Sequence, residues 1–148
     1  MNANDLRFNV IRPVLVTMGT KLWSEVAEAL LLGTCAVESD MGTFLKQTKG
    51  PARGIYQIEP ATAGDVLARH GFVGSQWLIP SAGIELQLTG NLLFQTAIAR
   101  LIYYRDPTPL PATLDPYLLG EYWKQGYNTK VGKGTVELFV QKYQKYVK

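Results

Sequence analysis

The stretch Trp23–Ser39, WSEVAEALLLGTCAVES, decides how this chain is read. Its apolar or small positions Val26, Ala27, Leu30, Leu31, Thr34 and Cys35 recur at three- and four-residue steps, the spacing of one buried helix face. The next step lands on Glu38, so a carboxylate closes the most hydrophobic helix of the protein on its inward side. Gly42 lies just beyond as a stop. Two readings fit Glu38. A glutamate at a helix end commonly turns into solvent. Held instead against apolar groups at the negative end of the helix dipole, its anion would be desolvated and electrostatically disfavoured, and its pKa would rise. A carboxylic acid kept protonated near neutrality is the group that general-acid cleavage of a glycosidic bond requires.

The rest of the chain is large enough to bury such a helix. With 148 residues, 47% hydrophobic and 18% charged, it reads as one domain, residues 1–148, with a substantial core. Fifteen Lys and Arg against twelve Asp and Glu give a net charge of +3, which favours anionic surfaces without selecting one. A single cysteine, Cys35, excludes a disulfide framework, and a single histidine, His70, excludes a multi-His metal site. No metal and no organic cofactor is expected. The early apolar run Val10–Met18 is broken by Arg12 and Pro13, and no stretch approaches the roughly 18 residues of a membrane span. The expectation is a soluble protein made in a cytoplasm.

Helical periodicity dominates beyond Ser39. Residues 43–54 read as loop, and Ile55–Ile58 as a short strand. Pro60 suits the first turn of a helix reaching about His70, with Gly71 as its cap. A long helix is expected from about Glu85 to Tyr104. Asp106–Pro116, with four prolines, is a stiff connector. Asp115-Pro116 reads as N-cap and first residue of the next helix, and the last helix starts near Thr135 with Phe139, Val140 and Tyr143 on one side. Lys142, Lys145 and Lys148 fall on the other side, as a solvated face. The fold expected is mainly α: about six helices around a buried central helix, with a small β-hairpin near Gly54 flanking a cleft.

Gly54-Ile55-Tyr56-Gln57-Ile58 has two readings as well. It suits a plain buried hairpin. Gly54 would equally let the backbone pass close to a ligand, while Gln57 carries the donor and acceptor that acetamido and hydroxyl groups of amino sugars pair with. Glu38-Ser39, this stretch with Pro60-Ala61-Thr62-Ala63, Gly90-Asn91 ahead of a helix, and Tyr127-Asn128 with Gly132 and Gly134 behind come in one order. In that order they resemble the lytic transglycosylase (SLT-type) branch of the lysozyme-like superfamily. The blocks span roughly Leu30 to Tyr146. The resemblance implies that Glu38 is the single catalytic acid/base, acting on the β-1,4 bond between N-acetylmuramic acid and N-acetylglucosamine. It implies that Tyr127 hydrogen-bonds and orients that glutamate, and that Ser39, Tyr56, Gln57 and Asn128 line the glycan cleft. Tyr56 departs from the methionine common there, Gly126 and Thr129 depart from the residues that usually flank the Tyr-Asn pair, and the loop Met41–Arg53 lacks the usual Asn-Pro.

A hydrolysing glycosidase needs a second carboxylate, about 5 to 9.5 Å away depending on stereochemistry. Asp40 points to the opposite face if the helix runs on, and Glu59 has the position of a helix cap, so neither is an obvious partner. A phage-muramidase pattern fails at Gln47 and Ala52. His70 reads as a helix-end dipole partner, Cys35, Trp23 and Phe139 as core, and Trp77 and Trp123 as core or sugar-stacking. The function implied is peptidoglycan cleavage by a lytic transglycosylase. It would be made in a bacterial host's cytoplasm and reach the periplasm and wall as a phage endolysin or aboard a virion, with other virion proteins as possible neighbours. A lysozyme-type hydrolase using the same Glu38 and a non-catalytic virion or glycan-binding protein keeping the fold remain alternatives. Nucleic acid is not expected as a partner, because the basic residues are scattered.

Overall fold

Ser24 starts the central helix: its hydroxyl accepts the Ala27 N–H at 3.0 Å, and Glu25 and Glu28 place negative charge in the first turn. In this computed structural model, which describes residues 1–148 apart from the side chain of Phe72, α3 runs Glu25–Ser39. Its whole middle, Ala27 to Ala36, is buried, not one stripe alone. The other helices pack round it, most extensively α7 (Pro116–Trp123) and α8 (Val136–Tyr146). Gly33 lets α8 approach closely, since a Cβ there would run into the Phe139 ring. The mainly helical class with a buried central helix is as expected.

The N-terminal segment is also helical, which the sequence reading did not assign. It comprises α1 (Ala3–Leu6), a π-wound turn (Arg7–Ile11) and α2 (Arg12–Met18). Pro13 has no N–H and crowds the preceding turn of an ordinary helix. Here the turn before it is wound wider, with the Arg12 N–H bonded to the Arg7 carbonyl. Glu28 is pinned from this side. It accepts from Arg12 Nε at 2.6 Å and Nη2 at 2.9 Å, and from Trp23 Nε1 at 2.8 Å. Trp23 itself is 38% exposed, so it is a cap over this ion pair and not the core residue expected.

Three further boundaries differ from the sequence reading. Helix α4 starts at Pro60 as expected but continues to Gly74 through a kink at His70, whose ring meets Tyr104 edge-on at 5.9 Å. The expected long helix is two: α5 (Ile84–Gly90) and α6 (Leu92–Tyr104) break at Asn91, whose side chain accepts the Phe94 N–H and caps α6. No hairpin forms near Gly54. Two isolated antiparallel bridges, Lys46 with Arg53 and Arg53 with Ile58, hold that loop. Gly54 is required there: φ is +80°, and a Cβ would collide with the Leu88 carbonyl and the Gln95 side chain. The expected cap at Asp115 forms, accepting the Tyr117 N–H, and the last helix starts where expected, with Thr135 accepting the Leu138 N–H as its cap. Among the described residues no helix is long and apolar enough to cross a membrane.

Candidate active site

Three successive residues with positive φ, Asp40, Met41 and Gly42, end α3 sharply just after Glu38. Asp adopts the left-handed region more readily than most residues, and glycine does so freely. The helix stops with Glu38 in its last turn, half-buried. Its Oε1 accepts one hydrogen bond, from Trp123 Nε1 at 3.0 Å. Burial pushes the Glu38 carboxyl up to about 7, against the smaller opposing pull of that bond. Near neutrality the side chain therefore divides between acid and anion. It can give a proton in one step and take one back in the next.

Tyr127 sits in a π-wound turn, Lys124–Asn128, that continues α7. Its ring packs against Tyr103 at 5.1 Å, and Tyr103 in turn shares a 2.7 Å hydrogen bond with Thr34 of α3. Burial raises the pKa of both tyrosines, and the Glu38 charge adds to the rise. The expected hydrogen bond from Tyr127 to Glu38 is not made. The Tyr127 hydroxyl donates to the Tyr56 carbonyl at 2.7 Å, tying the Gly54 loop to the far end of α7, and Trp123 supplies the donor instead. Trp123 is 1% exposed and packs at a tilt against the Phe139 ring at 5.5 Å, so it is not a sugar platform. The available signal was its position, four residues before Tyr127 and so one helical turn away.

Two expected cleft residues are interior. Ser39 is fully buried. Its hydroxyl donates to the Ile55 carbonyl at 2.6 Å and accepts the Gly42 N–H at 2.8 Å, joining the end of α3 to the Gly54 loop. Tyr56 is equally buried, its hydroxyl paired with Thr96 at 3.0 Å. A buried aromatic beside buried polar partners leaves no face for a ligand. Gln57 and Asn128 stay partly exposed. Gln57 holds a positive φ of 48°, with its amide donating to the Gly54 carbonyl at 2.9 Å. Asn128 accepts from Lys124 Nζ at 2.6 Å, and a side chain at Gly132 would collide with it.

Asp40 faces α8, where Lys142 Nζ lies at 2.8 Å and the Tyr146 hydroxyl donates at 2.7 Å. These bonds hold its carboxyl below the usual range, and they make Lys142 an ion-pair partner where a merely solvated lysine was expected. Glu59 is exposed at the N-cap of α4 and bonds no helix N–H through its side chain. Neither acid is among the influences on Glu38. Cys35 lies on the same helix, fully buried, with burial pushing its thiol up to about 12, an inert core position. Among the described residues no group of three His, Cys, Asp or Glu side chains is placed to hold a metal. Two open cavities, of about 580 and about 410 Å³, lie elsewhere on the molecule, and Glu38 lines neither. The Glu38 side chain is itself partly exposed. No family model, no curated protein and no solved structure matches this chain.

Proposed function

We propose that the protein cleaves the glycan strands of peptidoglycan as a lytic transglycosylase, with Glu38 as its one acid/base. The observation that carries this reading is Glu38 itself: a partly buried carboxyl with a pKa near 7 and a single donor, Trp123, at 3.0 Å. Protonated Glu38 gives its proton to the oxygen linking N-acetylmuramic acid to N-acetylglucosamine, and the bond from that oxygen to the muramoyl C1 breaks. The carboxylate then takes the proton of the muramoyl 6-hydroxyl, whose oxygen bonds to C1. A 1,6-anhydro ring closes, Glu38 is protonated again, and no water is consumed.

One carboxyl suffices for this sequence of steps, whereas hydrolysis ordinarily uses two. The diversion of Asp40 to Lys142 and Tyr146 favours the one-carboxyl route. Gln57 and Asn128 remain as the partly exposed polar groups able to meet the sugars, while Ser39 and Tyr56 hold the loop that carries Gln57. The substrate lies in the cell wall, reached after release from the host cytoplasm or by delivery with a virion. The test is clearing of chloroform-treated Gram-negative cells by the purified protein and by Glu38→Gln. Clearing by the first and none by the second is expected. Equal clearing by both, or none by either, rejects the reading.

A further inference from the structure

A cavity of about 580 Å³ opens between the end of α6, the connector that follows it and the segment ahead of α3. Arg100 forms part of its wall and is only 4% exposed. Its Nε donates to the Leu22 carbonyl at 2.8 Å. Its two Nη groups donate to no protein acceptor and are not sealed from solvent, and no carboxylate pairs with it among the described residues. A buried cation without a counter-ion is costly to keep. Burial pulls its pKa down accordingly, yet a guanidinium stays charged at neutral pH. The Tyr104 ring, 5.9 Å from the guanidinium carbon, compensates only in part.

The rest of the lining sets the charge that would satisfy it. Lys21 and Arg105 add two cations at the mouth, and Asp106 adds the one acid. Three positive charges against one leave the cavity at +2, and the Asp106 carboxylate already accepts the Thr108 N–H at 2.9 Å. Pro107, Pro109 and Leu110 supply an apolar stretch of the wall, beside the rings of Tyr103, Tyr104 and Tyr122 and the Thr108 side chain. A guanidinium fork suits tetrahedral or planar oxyanions bidentately. A phosphate monoester carries about −1.5 to −2 at pH 7, which matches the cavity, while a single carboxylate would leave it undercompensated.

We propose that this cavity binds a phosphate monoester attached to a small apolar body, with the Nη groups of Arg100 as its principal donors and Lys21 and Arg105 flanking. The site stands apart from Glu38 and does not depend on the chemistry assigned there. Phenyl phosphate is the probe, titrated into the intact protein while the Arg100 Nε–Hε resonance is followed, with inorganic phosphate and benzoate as comparison arms. A saturable shift of that resonance is expected, tightest for phenyl phosphate. The exposed double variant Lys21→Gln/Arg105→Gln should keep its fold and bind about tenfold more weakly or worse, and Glu38→Gln should bind as the parent does. No saturable shift up to about 10 mM phenyl phosphate overturns the proposal. Undiminished binding by the double variant, or benzoate or inorganic phosphate binding as tightly as phenyl phosphate, overturns it equally.

Discussion

Replacing Glu38 by glutamine separates the physics of the carboxyl from any activity. Glutamine keeps the shape and the oxygen that accepts from Trp123 Nε1, and removes only the ionisation. In the unfolded chain the carboxyl titrates at its ordinary 4.5, and in the folded protein near 7. Between those values the folded state holds the proton more tightly than the unfolded one. Stability contributed by this group is therefore full below about 4.5 and falls as pH rises through 7, levelling off above. Each pH unit between the two values is worth about 1.4 kcal/mol, giving an upper bound of about 3.4 kcal/mol. Partial exposure of the side chain reduces this to about 2 kcal/mol. Urea unfolding of both proteins from about pH 5 to about pH 9 reads it directly. The glutamine variant should gain about 2 kcal/mol relative to the parent across that range, with most of the gain complete by about pH 8. Parallel stability curves would refute the claim that burial holds this carboxyl near neutrality.

Trp123→Phe deletes the one bond that favours the Glu38 anion, so the alkaline limb of the activity profile should move to higher pH. A move to lower pH would contradict the assignment of Trp123 as that donor. Ser39→Ala leaves the Ile55 carbonyl and the Gly42 N–H unpartnered inside the protein. It should cost about 1–3 kcal/mol in urea unfolding and leave KM for wall fragments unchanged. A raised KM without loss of stability would return Ser39 to the cleft.

Much of the fold was legible because its signals are local. The three- and four-residue step from Val26 to Cys35 marks α3 as a helix with a buried face, although packing buries its whole middle, and Pro60, Asp115 and Thr135 mark helix starts by chemistry that needs only neighbouring residues. The N-terminal helices went unassigned, since the wide turn that accommodates Pro13 depends on backbone winding that no residue type announces. The break at Asn91 was masked by continuous apolar periodicity on both sides of it. Glu38 was identifiable, being a carboxylate out of place on an apolar face. Its surroundings were not, because they join segments far apart in the chain. Trp123 is 85 residues from Glu38, and the direction of the Tyr127 hydroxyl is set by where the Gly54 loop leaves its carbonyls. Ser39 and Tyr56 carry polar groups that would suit a sugar equally well. Only packing shows that Ser39 and Tyr56 are satisfied internally, by Ile55 and Thr96.

In the proposed function Glu38 alone moves both protons of a ring-closing cleavage. Mass spectrometry of muropeptides released from purified peptidoglycan tests it most directly. Anhydro-muropeptides, lighter by one water than hydrolysed ones, are expected from the parent protein and none from Glu38→Gln. Hydrated products ending in reducing N-acetylmuramic acid, or anhydro products persisting in the glutamine variant, would contradict it.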